Sequence, residues 1–205
     1  MVELFLVKYK MEDKRFYKYL PNHDFLHTAF IFNGLIYDYV PKIEGGFRCL
    51  TKTEFNQEFD EKKIEIPIEN DYFYFHGTKL YLNTNETIQN RIDEIKNKYK
   101  NNELMYRFYS VQCTSVVLYI LSSNFDYFIN PNVNDSILSV IYKGNIFFEV
   151  LKTFIEEIKI DNDEVRKFKL FLKDNIDILY EDENNDKEKR LIMMLEDLEN
   201  ISNFF

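Results

Sequence analysis

The stretch HTAFIFNGLIYDYV, residues 27–40, constrains the fold of this chain more than any other. Two β-type runs flank Asn33-Gly34, the dipeptide that favours a two-residue type I′ turn. That turn sets a register in which Phe32 pairs with Leu35, Ala29 with Asp38 and His27 with Val40. Cross-strand partners share a face of the sheet. His27, Ala29, Ile31, Ile36, Asp38 and Val40 therefore point one way, and His27 and Asp38 become diagonal neighbours. A carboxylate in that position can bond one imidazole nitrogen and fix the tautomer and orientation of the ring. A base and its orienting carboxylate are two parts of a catalytic triad.

The rest of the first half is mixed in period. VELFLVKY, residues 2–9, reads as a strand. Residues 12–24 are polar and carry Pro21, which fits a loop or a short helix, and PKIEGGF reads as a glycine-containing turn. Residues 50–59 fit a short helix, and KKIEIPIE over 62–69 alternates as a strand, with Pro67 marking an edge or an end. DYFYFHGTKLYL, residues 71–82, gives one or two further strands around Gly77. Ile88, Ile92, Ile95 and Tyr99 then recur at helical spacing. Asn83 with Glu86 resembles a capping box at the start of that helix.

The second half is helical by pattern. From about residue 133 on, SILSVIYKGNIFFEVLKTFIEEI, residues 136–158, carries a broad apolar stripe, and DNDEVRKFKLFLKDNIDILY, residues 161–180, reads as a helix with Asp161 or Asp163 as its N-cap candidate. EDENNDKEK, residues 181–189, reads as a solvated charged turn before a last helix. With 205 residues and 45% hydrophobic content, the chain can build one core of ordinary size plus an appendage. The change from α/β to all-α near residue 130 is the predicted boundary, with domains over 1–130 and 131–205.

Charge and cysteine usage remove several classes of function. A net charge of −9 repels phosphate backbones and anionic lipid heads, so nucleic acid is not the expected partner. Two cysteines without repeated spacing make neither a disulfide framework nor a zinc knuckle, and the three histidines form no HxxxH or HExxH pattern. The expectation is no metal and no cofactor. No apolar run approaches the roughly 20 residues of a membrane span, and the N-terminus lacks the pattern of a signal peptide. The chain is expected to be cytoplasmic, with both thiols reduced.

FYSVQCTSVVLYIL, residues 108–121, holds the candidate nucleophile. Free cysteine is ordinarily a small buried hydrophobe, and Cys49, after GGFR, reads that way. Cys113 differs in its position. With Ser110 as N-cap, Cys113 falls at N3 in the first turn of a helix, where free N–H groups and the helix dipole favour a thiolate. An adjacent histidine would lower its pKa further. The same amides could hold an oxyanion.

The order of these pieces resembles the circularly permuted NlpC/P60 superfamily of papain-like enzymes. The matching stretches are HTAFIFNGLIYDYVPKIEGGFRCL and TIQNRIDEIKNKYKNNELMYRFYSVQCTSVVLYIL, within about residues 1–125. In the permuted order the sheet histidine precedes the cysteine helix, as His27 precedes Cys113. The superfamily includes bacterial hydrolases, lecithin:retinol acyltransferase-like enzymes and a poxvirus protein. The resemblance implies Cys113 as nucleophile, His27 as general base, Asp38 as the third residue and Gln112 beside the oxyanion. His23 and His76 read as structural or surface residues, with His76 the alternative third residue. YDYV stands where Glu-Ala is more usual in the family, which bears on the third position.

The expected fold is α+β, a permuted papain-like arrangement of an antiparallel sheet packed on the cysteine helix, with an α-helical C-terminal extension. The expected activity is a thiol hydrolase acting on an amide bond of a peptide, a cell-wall fragment or a lipid. The alternatives are an acyltransferase or lipid esterase using the same pair, and a virus-encoded interaction protein that keeps the fold without the chemistry. In the last case the C-terminal helices would be the surface for a protein partner.

Overall fold

The computed structural model describes residues 1–9, 25–40, 46–58, 63–75, 77–108, 110–125, 145–156 and 159–202. His23, His76 and the boundary expected near residue 130 lie outside them. The described chain is α+β, with antiparallel sheets.

The principal sheet is made of β1 (Val2–Tyr9), β2 (Phe25–Phe32), β3 (Leu35–Tyr39), β4 (Phe47–Leu50) and β5 (Lys63–Ile66), in the order β4-β3-β2-β1-β5. The β2–β3 hairpin has the register its turn dictates, with Phe32 opposite Leu35 and Ala29 opposite Asp38. Asn33 and Gly34 take φ of 52° and 77°, as a type I′ turn requires. The pairing ends at Ala29 and Asp38, two residues short of His27 and Val40. The Val40 amide turns away to the Gly46 carbonyl at 3.1 Å, and His27 pairs instead with Val7 of β1. Gly46 is held to glycine twice over. Its φ is +70°, and a Cβ there would lie 2.8 Å from the Tyr39 ring and 2.9 Å from the Tyr99 ring.

Strand β4 falls where the sequence suggests the end of a turn and a core cysteine. It pairs Asp38 with Arg48 and Tyr37 with Cys49. Cys49 is exposed rather than buried, because it lies on an edge strand. The short helix α1 (Lys52–Glu58) follows. Pro67 then divides the expected single strand: β5 joins the principal sheet, while β6 (Ile68–Glu69) begins a second sheet with β7 (Tyr72–Phe75) and β8 (Thr78–Tyr81). Proline cannot donate to a ladder, so a strand that contains one ends or changes partner there.

Alternation gives the principal sheet two buried faces. Leu4, Phe30, Phe32, Tyr37 and Tyr39 pack on α2 (Asn85–Lys100) and α3 (Cys113–Leu121), through Ile88, Ile92, Ile95, Val116 and Val117. Each such aliphatic side chain contributes roughly 1.5–3 kcal/mol when fully buried. On the other face Phe5, Val7, Ala29, Ile31 and Ile36 pack with Phe55 of α1. The α2 cap is Thr84, whose hydroxyl accepts the Thr87 amide at 3.2 Å. Asn83 does not serve, because its side-chain oxygen accepts the Ser123 hydroxyl while its NH₂ donates to the Ile120 carbonyl at 2.9 Å.

The C-terminal helices are α4 (Asn145–Ile155), α5 (Asp163–Asp174), α6 (Ile176–Leu179) and α7 (Lys187–Ser202). The Asn162 side chain, not Asp161 or Asp163, accepts the Val165 amide at the start of α5. Val150, Phe168, Phe171, Leu172, Tyr180 and Met194 form a second core, which also takes in Phe108 from the segment before the cysteine helix. No helix among the described residues is long and apolar enough to cross a membrane.

Candidate active site

His27 enters the site from β2, on the α1 face by alternation. Its Nε2 lies 3.1 Å from Asp38 Oδ2, the diagonal contact that the hairpin register implies. Asp38 is fully buried and His27 is 12% exposed. The sequence did not disclose what else holds Asp38. Arg48, opposite it on β4, donates from Nη2 to Oδ2 at 2.6 Å and from Nε to both oxygens at 3.3 Å. Burial raises the Asp38 pKa, but the hydrogen bonds and charges of His27 and Arg48 outweigh it and hold the carboxyl below its ordinary value. Only the β3–β4 pairing brings Arg48 there, and no turn signal like Asn-Gly marks it.

Cys113 enters from the other side of the sheet. The body of α3 packs against the face that carries Phe30 and Phe32, and Thr28 of β2 shares a 2.8 Å hydrogen bond with Thr114. Cys113 is the first residue of this helix, and its thiol is within hydrogen-bonding reach of the His27 ring. The two side chains therefore meet although their elements approach from different sides.

The helix begins later than the sequence suggests. Its N-cap is Gln112, extended at φ −131° and ψ 179°, so Cys113 is N1 rather than N3. Ser110 is not free to cap. Its hydroxyl donates to Asp197 Oδ2 of α7 at 3.2 Å, and its amide closes a turn on the Arg107 carbonyl at 3.1 Å. The Ser115 hydroxyl accepts the Gln112 amide at 2.9 Å instead. Gln112 is buried, with Oε1 3.5 Å from the Cys113 sulfur. At N1 the Cys113 amide has no acceptor within its own helix.

The electrostatics favour a charge-separated pair. Burial opposes a Cys113 thiolate, but the His27 charge and hydrogen bond, with the Thr28 backbone N–H and the Thr114 hydroxyl, hold the thiol below its ordinary value. Burial also opposes an imidazolium, yet the Cys113 charge and the Asp38 hydrogen bond push His27 up to about 10. Each partner stabilises the other's charged form. Beside them stands Tyr106, stacked on the fully buried Tyr39 at 5.9 Å and 14°. Burial and the Cys113 and Glu181 charges raise its phenol well above the usual range, so it stays neutral.

Glu181 departs from the expected solvated turn. It is buried, accepts the Tyr99 hydroxyl at 2.7 Å through Oε1 and accepts the Tyr106 amide at 3.0 Å through Oε2. Asp182 is likewise covered and paired with Lys189 at 2.7 Å. Glu181 turns inward because the Tyr99 hydroxyl and the Tyr106 amide offer it donors, while residues 183–188 stay exposed.

Among the described residues no group of three or more His, Cys, Asp or Glu side chains is placed to hold a metal ion. Comparison of the chain with family models, with curated proteins and with solved structures finds no match in any of the three.

Proposed function

We propose that the protein is a thiol hydrolase of the permuted papain-like kind, with Cys113 as nucleophile, His27 as acid and base, and Asp38 as orienting carboxylate. The carrying observation is the reach of the Cys113 thiol to an imidazole already bound to Asp38. The chain order, His27 before Cys113, agrees with the resemblance to the permuted NlpC/P60 superfamily.

In this reading Nε2 of His27 serves Asp38, which leaves Nδ1 for the sulfur. The resting pair is thiolate and imidazolium. The thiolate attacks a carbonyl carbon, and the Cys113 N–H at the helix start faces the developing oxyanion. The Gln112 carboxamide turns its NH₂ toward the same charge once the thiol has ionised. The imidazolium gives its proton to the leaving amine as the C–N bond breaks, leaving a thioester on Cys113. Neutral His27 then takes a proton from water as the water oxygen attacks the thioester. The acid is released and the ion pair returns. The substrate is an amide of a peptide, a cell-wall fragment or a lipid. Transfer to another acceptor would use the same thioester.

Iodoacetamide alkylation of Cys113 across pH tests the reading. Labelling is expected well below the ordinary thiol pKa of about 8.5, and it should slow in His27→Ala. Incubation with panels of peptide and lipid amides should leave an acyl adduct on Cys113, detectable by mass spectrometry and released by hydroxylamine. A thiol that titrates normally in both proteins, with no adduct formed, rejects the assignment.

A further inference from the structure

The C-terminal helices were expected to be an appendage, or a surface for a partner. Their contacts with the segment that leads into Cys113 give them another role. Arg107 and Val111 form an antiparallel bridge that closes a turn: the Arg107 amide donates to the Val111 carbonyl and the Val111 amide donates back to the Arg107 carbonyl, both at 2.9 Å. One carboxylate of α7 holds both ends of that turn. Arg107 Nη2 lies 3.0 Å from Asp197 Oδ1, and the Ser110 hydroxyl donates to Asp197 Oδ2 at 3.2 Å. Asp197 is 2% exposed. Arg107 Nη2 also donates to the Met193 carbonyl one turn earlier on α7, at 2.9 Å. The backbone is fixed as well: the Phe108 amide donates to the Leu179 carbonyl and the Glu181 amide to the Tyr106 carbonyl, both at 3.0 Å.

Only Gln112 separates this turn from Cys113. We infer that Asp197 is a positioning residue for Cys113, and that the C-terminal helices are part of the active site because they aim the nucleophile at His27. This rests on the thiol–imidazole reading above. The physical reason is leverage. A hydrogen bond and an ion pair to a single carboxylate fix both the place and the tilt of the turn, and α3 starts where the turn ends. Reactions of this kind depend steeply on the placement of the attacking atom. The thiolate is favoured only while the sulfur stays within reach of the imidazolium. Released from Asp197, the turn can shift, and Cys113 reverts toward an ordinary thiol.

The test is the pH profile of Cys113 alkylation in the full-length protein, read beside its urea unfolding transition. Asp197→Ala should slow labelling at pH 6 at least tenfold and move the midpoint up toward that of a free thiol. Asp197→Asn keeps the shape and one of the two acceptor oxygens, and should recover part of the rate. Ser110→Ala leaves the Arg107–Asp197 pair in place and should show a smaller shift in the same direction, so it carries the test if Asp197→Ala fails to fold. Glu196→Ala removes an exposed partner of the same Arg107 and should change nothing. Overlapping profiles of Ser110→Ala, the folded Asp197 variants and wild type would overturn the inference, whatever their stability. If the wild-type thiol itself titrates normally, the dyad has failed instead, and the two failures are told apart.

Discussion

His27 and Asp38 meet across 11 residues of chain, whereas Ser110 and Asp197 meet across 87. The first contact follows from a two-residue turn and the alternation of a hairpin. The second needs α7 to be folded and docked on the segment before the cysteine helix. The proposed active site thus joins a half built locally to a half built by distant chain. A local half should tolerate damage elsewhere, while a half held from a distance should lose its geometry when remote contacts are cut.

The largest effect is expected where the halves touch. His27→Ala removes the partner from both sides at once: Asp38 loses a donor and Cys113 its counter-charge. Turnover of any substrate found should fall by roughly 10²–10⁴, the usual range for loss of a general acid–base group. The alkylation profile sharpens the point. In the wild type the thiolate is favoured by an imidazolium that persists up to about pH 10. Labelling should therefore rise below the ordinary thiol range and change again only near that upper limit. In the variant a single rise near an ordinary thiol pKa should remain.

Next in size comes Glu181→Ala, which attacks the distant half away from Asp197. Glu181 joins Tyr99 of α2, the Tyr106 amide and the C-terminal helices. Loss of a buried charged acceptor with these donors should cost about 2–3 kcal/mol, measured as a shift in the urea midpoint. The alkylation profile should move too, because Tyr106 leads directly into the turn that precedes Cys113. Retention of the wild-type profile would mean that the distant half does not depend on this anchor.

Gly34→Val makes the corresponding attack on the local half. Gly34 has φ +77° and open space around an added Cβ, so the cost is backbone strain alone, about 1–2 kcal/mol. The register of β2 and β3 is also held by β1 on one side and β4 on the other. Stability should therefore fall while the Cys113 profile stays in place. A profile that shifted with Gly34→Val but not with Glu181→Ala would reverse the comparison.

The same division explains what could be read in the sequence. The His27–Asp38 contact was legible because Asn33-Gly34 fixes a register, and register fixes faces. Arg48 was not legible, because it reaches Asp38 through a strand that no comparable turn announces. Cys113 was placed near a helix start, but one residue type decided its exact position wrongly. Ser110 is a good cap by propensity, yet its hydroxyl is taken by Asp197, which is far away in sequence. Glu181 was assigned to solvent by its charged neighbours, although Tyr99 and the Tyr106 amide draw it inward. For Ser110 and Glu181 the local preference was real and a distant partner outweighed it.

The smallest expected effect concerns Arg48. Asp38 already has one donor in His27, and Arg48 adds a second from a side chain that is 23% exposed, where solvent screens part of its charge. Both donors hold the carboxyl below its ordinary pKa. A carboxyl depressed in the folded state contributes stability above its unfolded pKa and loses that contribution as pH falls through its folded pKa. Arg48→Met should raise the folded value and leave the unfolded one unchanged, so acid unfolding should begin at a higher pH. At neutral pH the loss of stability should be modest, because His27 still binds the carboxylate. Arg48→Lys should restore most of the acid tolerance if charge is what matters, and little of it if the forked geometry matters more. An acid transition that does not move in Arg48→Met would show that the hairpin alone, with no help from β4, sets the carboxylate half of the site.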